Sequence, residues 1–190
     1  MLNTPQHIHI DDSGWIKPAR QVCSPNFGAR PAGADISLLV IHNISLPPGE
    51  FGNGCIEQFF TNQLDPDAHP YFASIAHLQV SSHMLINRSG ELVQFVSLRD
   101  RAWHAGRSCF AGVTECNDYS IGVELEGTDT EPYTDAQYEA LGCLTDALLA
   151  YFPEVTPERI TGHCDIAPGR KTDPGEAFDW DKYYSHITVR

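Results

Sequence analysis

The residue pattern predicts an α/β (α+β) fold, a single domain built on a central mixed β-sheet flanked by helices. Three observations carry this expectation. Ser37–Asn43 is a continuous apolar run of strand length, residues 83–96 alternate around Arg88-Ser89-Gly90, and Thr134–Phe152 is one long amphipathic stretch. Strands mixed with helices and joined by both a hairpin and crossovers settle into layers around one sheet. At 190 residues the chain fits one domain, 1–190, with a core from about 15 to 187 and room to bury a proper interior.

The elements follow in order. Residues 1–36 read as irregular, punctuated by Pro18, Pro25 and Pro31. Ser37–Asn43 lacks polar alternation, as expected of a central strand buried on both faces, and Pro47-Pro48-Gly49 stops it. Ile56, Phe59 and Phe60 fall at helical spacing, so Cys55–Asn62 reads as a short helix, followed by a Pro-rich loop over Leu64–Ala76. His83–Asn87 and Glu91–Val96 form a hairpin, and Ser120–Glu126 is a further strand closed by Gly127. Thr134 and Gln137 make a capping box, each side chain satisfying a free backbone N–H. Tyr138, Leu141, Leu144, Leu148 and Phe152 then line one helical face up to Pro153. Thr156-Pro157 starts a short helical turn, and Trp180–Ile187 reads as a terminal helix.

Composition excludes several functions. A net charge of −13 argues against nucleic acid or an anionic membrane as partner, since both are bound through excess Lys and Arg. Local basic clusters, Arg99, Arg101 and Arg107 around Trp103-His104 and then Arg170-Lys171, suit a small anionic ligand. No stretch approaches the roughly 20 apolar residues that span a bilayer, and no secretory signal is visible, so a cytoplasmic location is expected. Six cysteines without framework spacing read as scattered, reduced thiols.

The chemistry concentrates in Thr161–Gly175, a turn-rich loop holding His163, Cys164, Asp165, Lys171 and Asp173. His42, ending an apolar run, and Glu124, inside another, lie far upstream. A hydrolytic zinc site takes three protein ligands and keeps a position for water. His42 and His163 are plausible nitrogen donors, each at the edge of an apolar segment. Spacing leaves the oxygen donor open. Asp165 points with His163 if the backbone is extended, whereas Asp173 requires the loop to fold back, which Pro168-Gly169 and Pro174-Gly175 permit. Glu124 and Glu126 share one side of a strand, so alternation cannot separate a catalytic carboxylate from a solvated one. His77 and His83 read as core hydrogen-bonding residues, and His7, His9, His69 and His186 as ordinary ones. A nucleophilic Cys164 needs a base that the sequence does not supply.

Four segments, Leu39–Gly49, Ala102-Trp-His-Ala-Gly106, Cys116–Gly127 and Thr161–Gly175, together resemble the zinc N-acetylmuramoyl-L-alanine amidases, the group that includes phage T7 lysozyme and the peptidoglycan recognition proteins. The likeness runs in the same order from about Trp15 to Trp180. It implies a mixed sheet with the site across one face and one Zn2+ ion on His42, His163 and Asp173. Glu124 is then the catalytic acid/base and Lys171 the oxyanion-stabilising residue, while Asp165 becomes a loop-structuring residue that caps backbone N–H groups. The lysozyme branch carries a cysteine as third ligand and a tyrosine just before the position of His83. Here those places hold Asp173 and Ser82, which agrees with the branch acting on 1,6-anhydro-muropeptides. Asn43 and Trp103 are the implied sugar-side contacts, and Arg107 stands in for basic residues that relatives carry where this chain has Gln79 and Glu115. The implied function is cytoplasmic hydrolysis of the lactyl–L-Ala amide of 1,6-anhydro-N-acetylmuramyl peptides in peptidoglycan recycling, which indirectly restrains inducible β-lactamase expression. The partner is a small-molecule substrate, with no nucleic acid, membrane or obligatory protein partner. Two alternatives stand beside it: an exported amidase acting on intact murein, and a muropeptide-binding module without catalysis.

Overall fold

Strand-length apolar runs and one long amphipathic helix assemble as expected. The computed structural model of the protein describes residues 7–188; the ends of the expected domain, 1–6 and 189–190, lie outside the described residues. Six strands form the central sheet: β1 Arg20–Gln21, β2 Leu38–Ile44, β3 Met84–Ile86, β4 Leu92–Gln94, β5 Ser120–Glu126 and β6 Ile160–Gly162. Their spatial order is β6-β2-β5-β3-β4-β1. The four strands β6, β2, β5 and β3 run parallel, β4 turns back antiparallel to β3, and β1 lies parallel to β4. Among the described residues five α-helices accompany the sheet: α1 Cys55–Phe60, α2 Pro70–Ile75, α3 Asp135–Tyr151, α4 His163–Ile166 and α5 Trp180–Ser185.

Side-chain alternation divides the sheet into a core face and a site face. Leu39 and Ile41 of β2 and Ile121, Val123 and Leu125 of β5 pack with Tyr138, Leu141, Leu144 and Leu148 of α3 and Tyr183 of α5. Each such buried side chain contributes about 1.5–3 kcal/mol by leaving water. The intervening residues Leu38 and Val40 pack on the other side with Ala105, Cys116 and Ile166. His42, Gly122, Glu124 and Glu126 share that parity. A further apolar cluster seats α1 through Ile56, Phe59 and Phe60 against Leu85, Val93 and Phe95. The expected capping box starts α3: Thr134 Oγ1 accepts from Gln137 N–H at 3.1 Å and Gln137 Oε1 accepts from Thr134 N–H at 3.1 Å.

Three expectations are corrected. The N-terminal segment contains β1, and Ile16–Lys17 and Phe27–Gly28 pair with His9–Ile10 and Arg101–Ala102. These pieces are too short for periodicity to register. The Pro-rich stretch is not all loop, because α2 begins at Pro70, where the missing N–H costs nothing, and the His69 ring accepts from Tyr71 N–H at 3.1 Å. His77 is exposed on the turn after α2 and makes no core contact of the expected kind. His83 does lie in the core, accepting from Gly122 N–H at 3.0 Å and reaching the Asp100 carbonyl at 3.0 Å. No helix among the described residues is long and apolar enough to cross a membrane.

Candidate metal centre and active-site cleft

Parallel strands end together, and their carboxyl ends open onto the site. In the β2–β5 register Glu124 lies directly opposite His42, so both project from the same face on adjacent strands. β6 pairs with β2 as far as Gly162 opposite Ile41 and then turns at once into α4, whose first residue is His163. The turn is tight: a Cβ on Gly162 would lie 2.9 Å from the Pro174 ring, closer than real contacts allow. Asp165 stabilises it, its Oδ2 accepting from Gly162 N–H at 3.0 Å and Thr161 Oγ1–H at 3.1 Å. The loop then folds back as Asp173 requires, with Cys164 N–H donating to the Asp173 carbonyl at 2.9 Å.

His42, His163 and Asp173 converge. His42 Nδ1 is 2.9 Å from His163 Nδ1 and 2.9 Å from Asp173 Oδ2, and His163 Nδ1 is 3.0 Å from the same oxygen. This near-equilateral triangle is within about half an ångström of the ~3.4 Å edge of a tetrahedron with bonds near 2.0–2.1 Å. The donor chemistry fits a cation. His163 Nε2 faces the Ala105 carbonyl at 3.0 Å, an acceptor only, so its hydrogen sits there and Nδ1 presents a lone pair. A second nitrogen and a carboxylate oxygen at this range call for one electropositive centre among them, and two imidazoles with one carboxylate is a set that zinc accepts. Asp165, spent on the turn, takes no part.

Glu124 stands beside this triangle, 7 % exposed, with Oε2 buried and without a hydrogen-bond partner. Burial, and then the Asp173 charge, push its carboxyl well above the usual range, while Lys171 pulls it down. A bound cation acts in the same direction as Lys171. Glu126 differs. It is buried rather than solvated, and its oxygens accept from Gly52 N–H at 2.6 Å and Arg88 N–H at 3.1 Å. Its carboxylate is fully engaged in holding two loops.

The cleft over these groups measures about 710 Å³. His42, Asn43, Trp103, His104, Glu124, Lys171 and Asp173 line its polar end, and Leu46, Phe59, Ile75 and Val80 line its apolar arm. Asn43 borders it but spends its amide hydrogens inward, on Asp129 Oδ1 at 2.8 Å and the Pro174 carbonyl at 3.0 Å. Arg107 is exposed and lies outside the cleft lining. The basic cluster around Trp103 does not gather into an anion pocket: Arg101 pairs with Asp118 at 2.5 Å and Arg99 reaches Tyr151 at 2.9 Å. Arg170 donates to the carbonyls of Ala105 and Arg107 at 2.6 and 2.7 Å. His104 is the residue that sequence reasoning passed over. Its Nδ1 lies 2.9 Å from His42 Nε2, and no periodic signal in its loop marks it.

Electrostatics behind the triangle predict acid sensitivity. Burial lowers His42 to about 4 and His83 to about 3, from 6.5, and burial likewise holds His104 well down. The unfolded chain therefore binds more protons than the folded one between about pH 6.5 and pH 4, and stability rises with pH there. Glu124 has the opposite sign, one group against three. Denaturant titration of metal-free protein is expected to lose on the order of several kcal/mol from pH 7 to pH 4. A constant unfolding midpoint across that range would contradict it.

The comparisons with known proteins are consistent with this geometry. A family profile described as N-acetylmuramoyl-L-alanine amidase matches residues 32–176. The chain is 57 % identical over 172 residues to the 1,6-anhydro-N-acetylmuramyl-L-alanine amidase AmpD of Escherichia coli K12, covering 90 % of this chain and 93 % of that one. A crystal structure of a selenomethionine AmpD derivative superposes with a TM-score of 0.92 at 56 % identity, covering 95 % of this chain and 100 % of that one. The E. coli amidase AmiD, solved with anhydro-N-acetylmuramic acid-L-Ala-D-γ-Glu-L-Lys, matches with a TM-score of 0.60 at 28 % identity, covering 96 % of this chain and 67 % of that one.

Proposed function

The chain belongs to the N-acetylmuramoyl-L-alanine amidase family, an amidase of peptidoglycan recycling, and we propose that it works as a single zinc-dependent domain spanning 1–190 on soluble 1,6-anhydro-muropeptides in the cytoplasm. The bond cleaved is the amide between the lactyl group of the anhydro sugar and L-Ala. His42, His163 and Asp173 hold one zinc ion. The observation that carries this reading is their triangle of 2.9–3.0 Å contacts beside a buried, incompletely bonded Glu124.

Zinc, when bound there, supplies Lewis acidity that makes hydroxide available near neutral pH. The chain's own groups do the rest. Glu124 takes the proton of the attacking water and passes it to the leaving amine, which departs only once protonated. Lys171, on the cleft wall, offsets charge on the oxygen of the tetrahedral species, a kind of donor typically worth ~3 kcal/mol. Trp103 and the apolar arm offer surface to the sugar ring, and Asn43 acts on it only through the carbonyl side of its amide. Lowering the supply of muropeptides in this way would restrain inducible β-lactamase expression.

Mass spectrometry of the products tests the reading. Anhydro-muropeptide incubated with the protein is expected to yield 1,6-anhydro-N-acetylmuramic acid with a free lactyl carboxylate and intact stem peptide with a free L-Ala amine. A chelator should abolish both products, and zinc should restore them. Faster release from intact sacculi than from the soluble substrate would favour an exported murein amidase. Tight binding without cleavage by zinc-replete protein would leave only a muropeptide-binding module.

A further inference from the structure

A neutral imidazole that binds a metal through one nitrogen keeps a hydrogen on the other, and that hydrogen needs an acceptor to fix the ring. His163 has one in the Ala105 carbonyl, at 3.0 Å. For His42 the group in reach of Nε2 is His104 Nδ1, at 2.9 Å, with the two rings edge to face at 88°. The acceptors of both histidines thus come from two consecutive residues.

Those two residues are pinned as a unit. Asn117 Oδ1 accepts from the backbone N–H of His104 at 3.1 Å and of Ala105 at 2.8 Å. Ser120 Oγ lies 3.1 Å from His104 Nε2, a partner for the hydrogen that must sit there if Nδ1 is to accept. The ring occupies space left by Gly122, where a Cβ would fall 2.5 Å from His104 Cγ. Arg170 donates to the Ala105 carbonyl at 2.6 Å, so that acceptor is held from a second side.

Resting on the zinc reading above, we propose that His104 is a positioning residue for the metal centre: it accepts the Nε2 hydrogen of His42 and so holds His42 in the tautomer whose Nδ1 lone pair faces the ion. Asn117 keeps this acceptor and the Ala105 carbonyl in register with the two histidines. His104 needs no contact with substrate for this role, and its signature is in metal affinity rather than in chemistry.

Zinc affinity measured by chelator competition tests the proposal, with thermal unfolding in excess chelator as the control for folding. His104→Leu, which fills the space without an acceptor, is expected to weaken zinc binding about 10–100-fold. His104→Asn, whose Oδ1 takes the place of Nδ1, is expected to recover most of that loss. Should the leucine variant fail to fold, nitrogen-15 NMR of histidine-labelled wild-type zinc protein decides the matter, with hydrogens expected on Nε2 of both His42 and His104. Equal zinc affinity in His104→Leu and wild type would overturn the proposal, as would equal losses in the leucine and asparagine variants, or a hydrogen on His104 Nδ1. Wild-type protein that binds no zinc is a different result and overturns the metal reading itself.

Discussion

Glu124→Gln is expected to retain one zinc per chain and to lower kcat by about 10²–10⁴-fold, the range that a positioned acid/base supplies. The substitution preserves size and polarity and removes only the ability to take and return a proton. Glu124 lies opposite His42 in the strand register and is nearly buried, which fixes its carboxylate beside the metal triangle. The acid limb of the kcat/KM profile should vanish with it. Burial and Asp173 push the carboxyl up, so in the wild type that limb should appear at a higher pH than for a solvated glutamate, offset by Lys171 and the ion. Glu126→Gln is the control. That side chain shares strand, face and burial with Glu124 but is spent on Gly52 and Arg88, so its loss should cost about 1.5–3 kcal/mol of stability and leave kcat nearly intact. Comparable kcat losses in the two variants would reject Glu124 as the base.

The contrast between these two glutamates also marks how far the sequence could be read. Strand alternation places both on one face and goes no further; what separates them is which backbone N–H groups arrive from loops 38 and 74 residues away. The long elements were legible because each repeats its signal: β2 by an unbroken apolar run, α3 by five apolar positions and a capping box. The turn through α4 was not. An extended backbone would have carried Asp165 to the metal side with His163, but a helical turn begins at His163 and spends Asp165 on Gly162 N–H. That is why spacing left two aspartates in contention and the family likeness was needed to choose. α2 was hidden within the Pro-rich stretch Leu64–Ala76, because Pro70 sits at the first helical position, where a missing N–H does no harm. His104 was hidden for another reason. Its meaning lies entirely in a partner 62 residues away, and no local rule connects them.

Asp173→Asn is the variant in which the metal itself is expected to be lost. The amide has the size of the carboxylate, so Pro174 and the Asn43 hydrogen bond that anchors the loop need not move. What disappears is the single negative charge in the triangle. In the metal-free protein burial raises the Asp173 carboxyl, yet the imidazoles of His163 and His42 beside it outweigh burial and hold it far below the usual carboxylate range, a role a bound cation would take over. Two neutral imidazoles alone hold a divalent cation far more weakly than two imidazoles with a carboxylate. The zinc dissociation constant should therefore rise by more than the 10–100-fold typical of losing an outer partner, and amide hydrolysis should fall to background at micromolar zinc. Asp173→Cys restores an anionic donor of the kind found in structural and catalytic zinc sites, with a bond near 2.3 Å in place of about 2.0–2.2 Å. It is expected to bind zinc more tightly than the asparagine variant, with activity recovering in proportion to metal content. Metal analysis and competition titration of the two proteins decide the matter. Undiminished zinc binding by Asp173→Asn would show that the ion is held elsewhere, and the assignment of His42, His163 and Asp173 as its ligands would fall.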